Sequence, residues 1–277
     1  YDGQAHGITV TVTAPISEYE IKYGTTSGSY TLTTNPTRTN VQSAETIYYQ
    51  ITAPNYTPVT GYKTITITPK QVTASWQTTT TFTYDGNEKT VTATIGGVIS
   101  GDSVNFAYSN NKKTNAGDYT AEITGLTGTN SGNYSLPSNT TLSWKINKAN
   151  QAALDFGNDH SIAFPNTYTR AATGGSGSGS ISYSSSDTNI ATVDSNGKVT
   201  PKKTGKVTIT ATKAGDNNYN SISATYTLTI TSGEINYTAT GYDAVYDKEE
   251  HGITVSVTAP SSGYTIKYGT SSGTYNL

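Results

Sequence analysis

One short pattern occurs three times and sets the framework for the whole chain. A tyrosine turn appears as Tyr1-Asp2-Gly3, again as Tyr84-Asp85-Gly86, and again as Tyr246-Asp247-Lys248. Each copy leads through a small polar turn into a β-rich run. Residues 1–32 and 246–277 agree at about two-thirds of positions without a gap. They share His6-Gly7-Ile8-Thr9-Val10 with His251-Gly252-Ile253-Thr254-Val255, and Ile21-Lys22-Tyr23-Gly24-Thr25 with Ile266-Lys267-Tyr268-Gly269-Thr270. Self-similarity of this kind marks an array of like modules. The chain opens inside one repeat and stops inside another, so it reads as a fragment of a longer protein, and missing targeting segments are uninformative.

Residue order along the modules predicts strands. Ile8, Val10 and Val12 alternate with threonines, the period of a half-buried strand, and Ala14-Pro15 ends the run because proline donates no ladder hydrogen bond. Tyr19, Ile21 and Tyr23 share one face of the next expected strand. Gly24 to Gly28 turns the chain back into a run from Ser29 to Leu32, and Ile65 and Ile67 close the first module. In the second module Val72, Ala74 and Trp76 fall on one face, then Val91, Ala93 and Ile95, and finally Leu142, Trp144 and Ile146. The third module carries a Gly-Ser tract, residues 174–180. Strand pattern resumes at once at Ile181, which predicts a loop within a domain instead of a linker. A leading strand from Ile235 to Val245 opens a fourth module.

A chain of 277 residues suits about two to four such modules. Charged residues are only 13% and the net charge is −2, which argues against nucleic acid as a partner. With no cysteine, disulfides and thiol chemistry are excluded. No apolar run is long enough to span a bilayer, so this segment is expected not to insert into a membrane.

Two resemblances add to this reading. Asn115-Ala116-Gly117-Asp118-Tyr119 resembles the tyrosine corner of immunoglobulin-like sandwiches, with Ala121 where many such domains carry cysteine. Ser185-Ser186-Asp187, Ile190-Ala191-Thr192-Val193, Gly197-Lys198-Val199-Thr200 and Gly205-Lys206-Val207-Thr208-Ile209 resemble a bacterial immunoglobulin-like domain of group 2. The other modules resemble the tyrosine-turn repeats, of YDG or MBG type, of bacterial surface proteins and adhesins. The residues carrying this are Tyr84-Asp85-Gly86, Asn115 to Tyr119, Asn133-Tyr134-Ser135-Leu136 and Trp144-Lys145-Ile146. The first module departs from that pattern, with Asn40-Val41-Gln42 in place of Asn-Ala-Gly. Both resemblances imply secreted, multi-domain stalks or adhesins, and neither brings catalytic residues.

Candidate side chains read mostly as structural. His6 and His251 hold one repeat position and His160 stands alone, so a turn or surface role is expected instead of a metal site. Tyr119, Gly117, Trp76, Trp144 and Tyr84 are expected to build cores and corners. Tyr48 is out of phase with Ile47, Tyr49 and Ile51, which makes it the candidate ligand-facing side chain. Asp187, Asp194 and Asp216 lack the dense acidic spacing of a calcium loop and read as turn formers. Lys22, Lys145 and Lys267 are conceivable isopeptide donors, with a solvated role favoured.

The expected fold is all-β: tandem Ig-like β-sandwich modules in an elongated rod, with β-grasp-like tyrosine-turn modules as the alternative. The expected division is residues 1–70, a tyrosine-turn module lacking its leading strand; 71–148, a second such module; 149–231, an Ig-like domain; and 232–277, the start of a further repeat. The expected role is a non-catalytic segment of a bacterial cell-surface or secreted protein, acting as adhesin stalk or spacer. The alternatives are direct carbohydrate or host-glycoprotein binding, and an ancillary segment of a secreted polysaccharide-degrading enzyme. No cofactor, metal or catalytic residue is expected. The incomplete terminal modules have complementary defects, which predicts head-to-tail self-association by strand exchange.

Overall fold

Alternating β-branched and polar residues become sheet through most of the computed structural model, which describes residues 1–276; Leu277, the counterpart of Leu32, lies outside the described residues. The chain divides into two units, Tyr1–Ala149 and Asn150–Leu277.

In the first unit, Glu20–Gly24, Gln42–Thr52 and Val59–Ile67 form a three-stranded antiparallel sheet, with the long middle strand between the other two. Ile47, Ile65 and Ile67 project from it onto Ile8, with Tyr1, Val10, Tyr23, Val41 and Tyr49 around them. Further along, Asn105–Ser109, Gly117–Thr127, Thr141–Asn147 and Thr81–Thr83 make a four-stranded sheet, and Thr73–Trp76 pairs with Ala93–Gly96 in a second sheet. The two sheets enclose Val72 and Val104 with Ile95, Phe106 and Leu126, and also Val91, Ala121, Trp144 and Ile146.

In the second unit the sandwich is plain. His160–Ala163, Ile222–Thr231, Gly205–Lys213 and Ile181–Ser185 form one sheet, and Tyr168–Thr169, Lys198–Pro201 and Ala191–Val193 form the other. Val207, Ile209 and Ala211 alternate inward along one strand, and Tyr226, Leu228 and Ile230 along its neighbour. Asn236–Thr240 then pairs antiparallel with Thr254–Ala259.

The chain is therefore all-β and built of tandem immunoglobulin-like β-sandwich modules. Among the described residues the only helical element is a 3-10 turn, Ser131–Asn133, so the β-grasp alternative, which packs a sheet on a helix, does not describe it. No helix among the described residues is long and apolar enough to cross a membrane.

Three local expectations are corrected. Ile8 is buried and Val10 and Val12 half-buried between exposed threonines, yet residues 8–13 form no ladder, because no described strand lies beside them. The run from Ser29 to Leu32 makes only isolated bridges, Thr26 with Ser29 and Tyr23 with Leu32. The leading strand of the fourth module is confined to Asn236–Thr240, because Tyr242 leaves the ladder to stack on His251 and donate to Asp247.

Candidate functional site

The repeated turn has a local physical cause. In each copy the aspartate accepts the backbone N–H two residues on: Asp2 from Gln4 at 2.9 Å, Asp85 from Asn87 at 2.9 Å, and Asp247 from Glu249 at 3.0 Å. The residue after the aspartate takes a left-handed backbone, with φ of 80° at Gly3, 83° at Gly86 and 71° at Lys248, which glycine adopts without a Cβ penalty. A side chain four positions beyond the aspartate closes the turn: His6 at 2.8 Å, Lys89, and His251 at 2.7 Å. These bonds hold Asp2, Asp85 and Asp247 below the usual carboxylate range, the side-chain partner being the leading cause each time. His6 and His251 thus have the turn role expected of them. His160 does not: it sits half-buried in a strand and stacks on Tyr168 at 4.1 Å, because the parallel pairing with Leu228–Thr231 carries it onto the sheet.

The turn's tyrosine does more than start a module. The Tyr1 hydroxyl donates to Asp102 Oδ2 at 2.7 Å, and Tyr134 donates to the same oxygen at 2.6 Å. The two rings meet edge to face, 5.4 Å apart at 75°. The Ile99 N–H donates to the Tyr134 hydroxyl at 2.9 Å, and the Tyr1 nitrogen donates to the Thr68 carbonyl at 2.7 Å. Beside this cluster the buried Asn133 side chain accepts from Val41 N–H at 2.8 Å and donates to Asn40 at 3.0 Å. Residues near 1, 40 and 68 are thereby tied to residues near 100 and 133 by direct polar bonds. The hydrogen bond to Asp102 raises the Tyr1 hydroxyl, and burial followed by the same carboxylate raises Tyr134.

Tyr119 donates to the Asn115 carbonyl at 2.8 Å, and its ring lies 5.3 Å from Trp144. A Cβ on Gly117 would stand 3.0 Å from that hydroxyl, so a side chain there would press on it. Trp144 is buried, with its indole N–H on the Asn110 carbonyl at 3.2 Å. Trp76 is only half-buried and reaches Asn139 at 3.1 Å. Tyr84 packs on the cluster of Val91 and Trp144. Tyr48 is half-buried on the face away from Ile47 and stands 6.0 Å from Tyr62, which is 66% exposed. Tyr62 was legible as a companion, since it alternates with the inward Ile65 and Ile67.

In the second unit Asp216 pins the Gly-Ser tract. It accepts from Ser178 N–H at 2.8 Å, Asn218 N–H at 2.8 Å and Tyr219 N–H at 2.9 Å, which lowers its carboxyl to about 2. Asp187 and Asp194 likewise accept backbone N–H groups two residues on. Arg170 lies over the rings of Tyr168 and Tyr226, 5.1 and 4.7 Å from their centroids. Tyr226 is 2% exposed, its hydroxyl has no hydrogen-bond partner, and burial pushes it up to about 12. Lys145 and Lys267 are exposed, and Lys22 lies 3.4 Å from Glu20 with its side chain 42% exposed, the solvated arrangement. Among the described residues no group of three or more His, Cys, Asp or Glu side chains could hold a metal ion.

Residues 165–215 match the family described as the intimin immunoglobulin-like domain. No curated protein matches the chain. Similar solved structures include Drosophila N-cadherin EC1-3, at 11% identity over 84% of this chain and 95% of that one, with a TM-score of 0.29. Protocadherin gamma B2 extracellular cadherin domains 3-6 match at 16% identity over 83% and 69%, with a TM-score of 0.33. Domains 4 and 5 of the S-layer protein SbsC match at 13% identity over 60% and 100%, with a TM-score of 0.26.

Proposed function

We propose that the chain is a non-catalytic repeat segment of a bacterial cell-surface protein, acting as an adhesin stalk or spacer. In this reading residues 1–70, 71–148 and 232–277 are tyrosine-turn modules of the YDG or MBG type, and residues 149–231 are the immunoglobulin-like domain. The match of residues 165–215 to the intimin domain supports an extracellular setting. The observation that carries the mechanical role is the Tyr1–Asp102–Tyr134 cluster. It joins successive cores by short direct bonds where a flexible linker would leave them independent, and a spacer needs stiffness between its modules. Pulling the chain by its two ends tests this. Discrete unfolding steps are expected, each releasing about 25 nm for a module near 80 residues. Smooth extension without steps overturns the reading.

A second reading rests on Tyr48 and Tyr62. Two neighbouring rings on an outward sheet face, one of them well exposed, suit the apolar face of a sugar in a host glycan or glycoprotein. A glycan array probed with the chain and with the Tyr48→Ala, Tyr62→Ala double variant separates the two. Binding that the double variant loses favours this reading over a pure spacer.

A further inference from the structure

Tyr1 and Tyr134 meet where two cores adjoin. Tyr1 packs against the core of Ile47 and Ile65 and also against that of Val72 and Val104, to which Tyr134 belongs. Their hydroxyls stand 2.7 and 2.6 Å from the same oxygen, Asp102 Oδ2. Their ring centroids are 5.4 Å apart, in the closer half of the range of about 4.5–7 Å for aromatic contacts. Because both hydroxyls aim at one atom, the ring carbons ortho to them lie on neighbouring edges of the pair. Two other tyrosine pairs lack this arrangement. Tyr48 and Tyr62 stand 6.0 Å apart, and their hydroxyls share no acceptor among the described residues. Tyr168 and Tyr226 stand 6.1 Å apart, and the Tyr226 hydroxyl is buried without a partner.

The chain has 22 tyrosines, no cysteine and no methionine. The two sulfur side chains that take up oxidising equivalents are absent, which leaves the phenols to do so. A phenol that loses an electron becomes a strong acid and passes its proton to a base already hydrogen-bonded to it. Asp102 is such a base for both rings, and it is half-buried, so it can hand each proton on to water. We propose that Tyr1 and Tyr134 are a site of oxidative cross-linking, joined as dityrosine by a peroxidase-type oxidant with hydrogen peroxide as electron acceptor. Tyr1 is half-buried and Tyr134 only 6% exposed, so Tyr1 faces the oxidant and Tyr134 gives up its electron through the Tyr1 ring. Each phenol loses one electron and one proton. The two phenoxyl radicals couple between ortho carbons, and the hydrogen on each of those carbons moves to its oxygen, restoring both phenols. The two electrons and two protons reduce one hydrogen peroxide to two waters. The bond closes a covalent loop over residues 2–133, which then carry no tension when the chain is pulled. The proposal goes beyond the spacer reading and needs only the geometry of the cluster.

The test treats the full chain, at low concentration, with a haem peroxidase and hydrogen peroxide, alongside free tyrosine as a control for the oxidant. A monomer lighter by two hydrogens and fluorescent as dityrosine is expected. Trypsin cleavage after Lys22, Lys113 and Lys145 places the two tyrosines in residues 1–22 and 114–145. Fragment masses of the linked pair are expected to put the bond at Tyr1 and Tyr134, not at Tyr19 or Tyr119. Tyr1→Phe is expected to abolish that linked pair, and Tyr48→Phe to leave it unchanged. Asp102→Asn keeps the shape and one acceptor oxygen but not the base. It is expected to slow coupling about tenfold or more at neutral pH. The rate should recover as pH rises toward about 10, where the phenols ionise by themselves. A loss due only to misplaced rings would not recover in this way. A wild-type chain that forms no Tyr1–Tyr134 link while free tyrosine is coupled overturns the proposal, as do bonds placed mainly at other tyrosines. Coupling of Asp102→Asn at the wild-type rate at neutral pH overturns the part given to Asp102. None of these outcomes alters the stepwise unfolding that tests the spacer.

Discussion

The hydroxyl of Tyr1 stands 2.7 Å from Asp102 Oδ2, a hydrogen bond that spans 101 positions of sequence. The same oxygen takes the Tyr134 hydroxyl at 2.6 Å. One carboxylate therefore holds two tyrosines, one from the repeated turn and one from the neighbouring core. Bonds to a charged acceptor are stronger than neutral ones, and a buried tyrosine hydroxyl left without its acceptor is costly.

Asp102→Ala removes the shared acceptor of both hydrogen bonds at once. It is expected to destabilise the first unit by about 2–3 kcal/mol, the lower range for two part-buried bonds to a charge. Tyr1→Phe removes one of the two and is expected to cost less. Urea unfolding followed by tyrosine fluorescence reads both, and an Asp102→Ala midpoint equal to wild type contradicts the role assigned to the cluster.

Tyr119 combines a hydroxyl bond to Asn115 with a ring packed on Trp144. Tyr119→Phe loses only the bond, about 1 kcal/mol. Tyr119→Ala loses the ring as well, about 2–4 kcal/mol. If both variants unfold at the wild-type denaturant midpoint, the corner has no structural weight.

Asp216 makes the Gly-Ser tract sensitive to acid. Its folded carboxyl lies at about 2 because Ser178, Asn218 and Tyr219 donate to it, against about 3.9 for an unfolded chain. A depressed carboxyl stabilises the fold above the unfolded value, and that contribution fades as pH falls from about 4 toward 2. Amide exchange over residues 174–180 is expected to quicken across that window in wild type. The Asp216→Asn variant is expected to exchange fast at every pH. An identical acid profile in the two proteins refutes this.

Tyr226 points the other way on the pH scale. Its hydroxyl is buried without a partner and titrates at about 12, above the unfolded value near 10. A raised group favours the folded state's neutral form, so stability holds below pH 10 and falls as pH rises toward 12. Tyr226→Phe is expected to stabilise the second unit by up to about 1 kcal/mol at neutral pH by removing an unsatisfied polar atom. It is also expected to blunt the alkaline loss. A lower urea midpoint for the variant would falsify the unsatisfied-hydroxyl argument.

The sequence by itself determined which side chains face inward and where the chain turns. Ile65 and Ile67, Trp144 and Ile146, and Val207 and Ile209 are buried as their alternation predicts. Asp2, Asp85 and Asp247 cap the turns that their spacing marks. These are local properties: a strand has period two by backbone geometry, and an aspartate reaches the N–H two residues on without help from the rest of the fold. Only the tertiary structure decided who pairs with whom. Alternation gave Ile8, Val10 and Val12 their inward face but not a ladder, because a ladder needs a second strand. Nothing local distinguishes Asp102 from any other loop aspartate, and the docking of one core on the next makes it the acceptor of Tyr1. Trp76 and Trp144 carry the same phase in sequence, yet Trp144 lies on the middle of a four-stranded sheet and is buried, while Trp76 ends a two-stranded one and is not. Burial depends on how many strands flank a residue, and that number is set by contacts far apart in the chain.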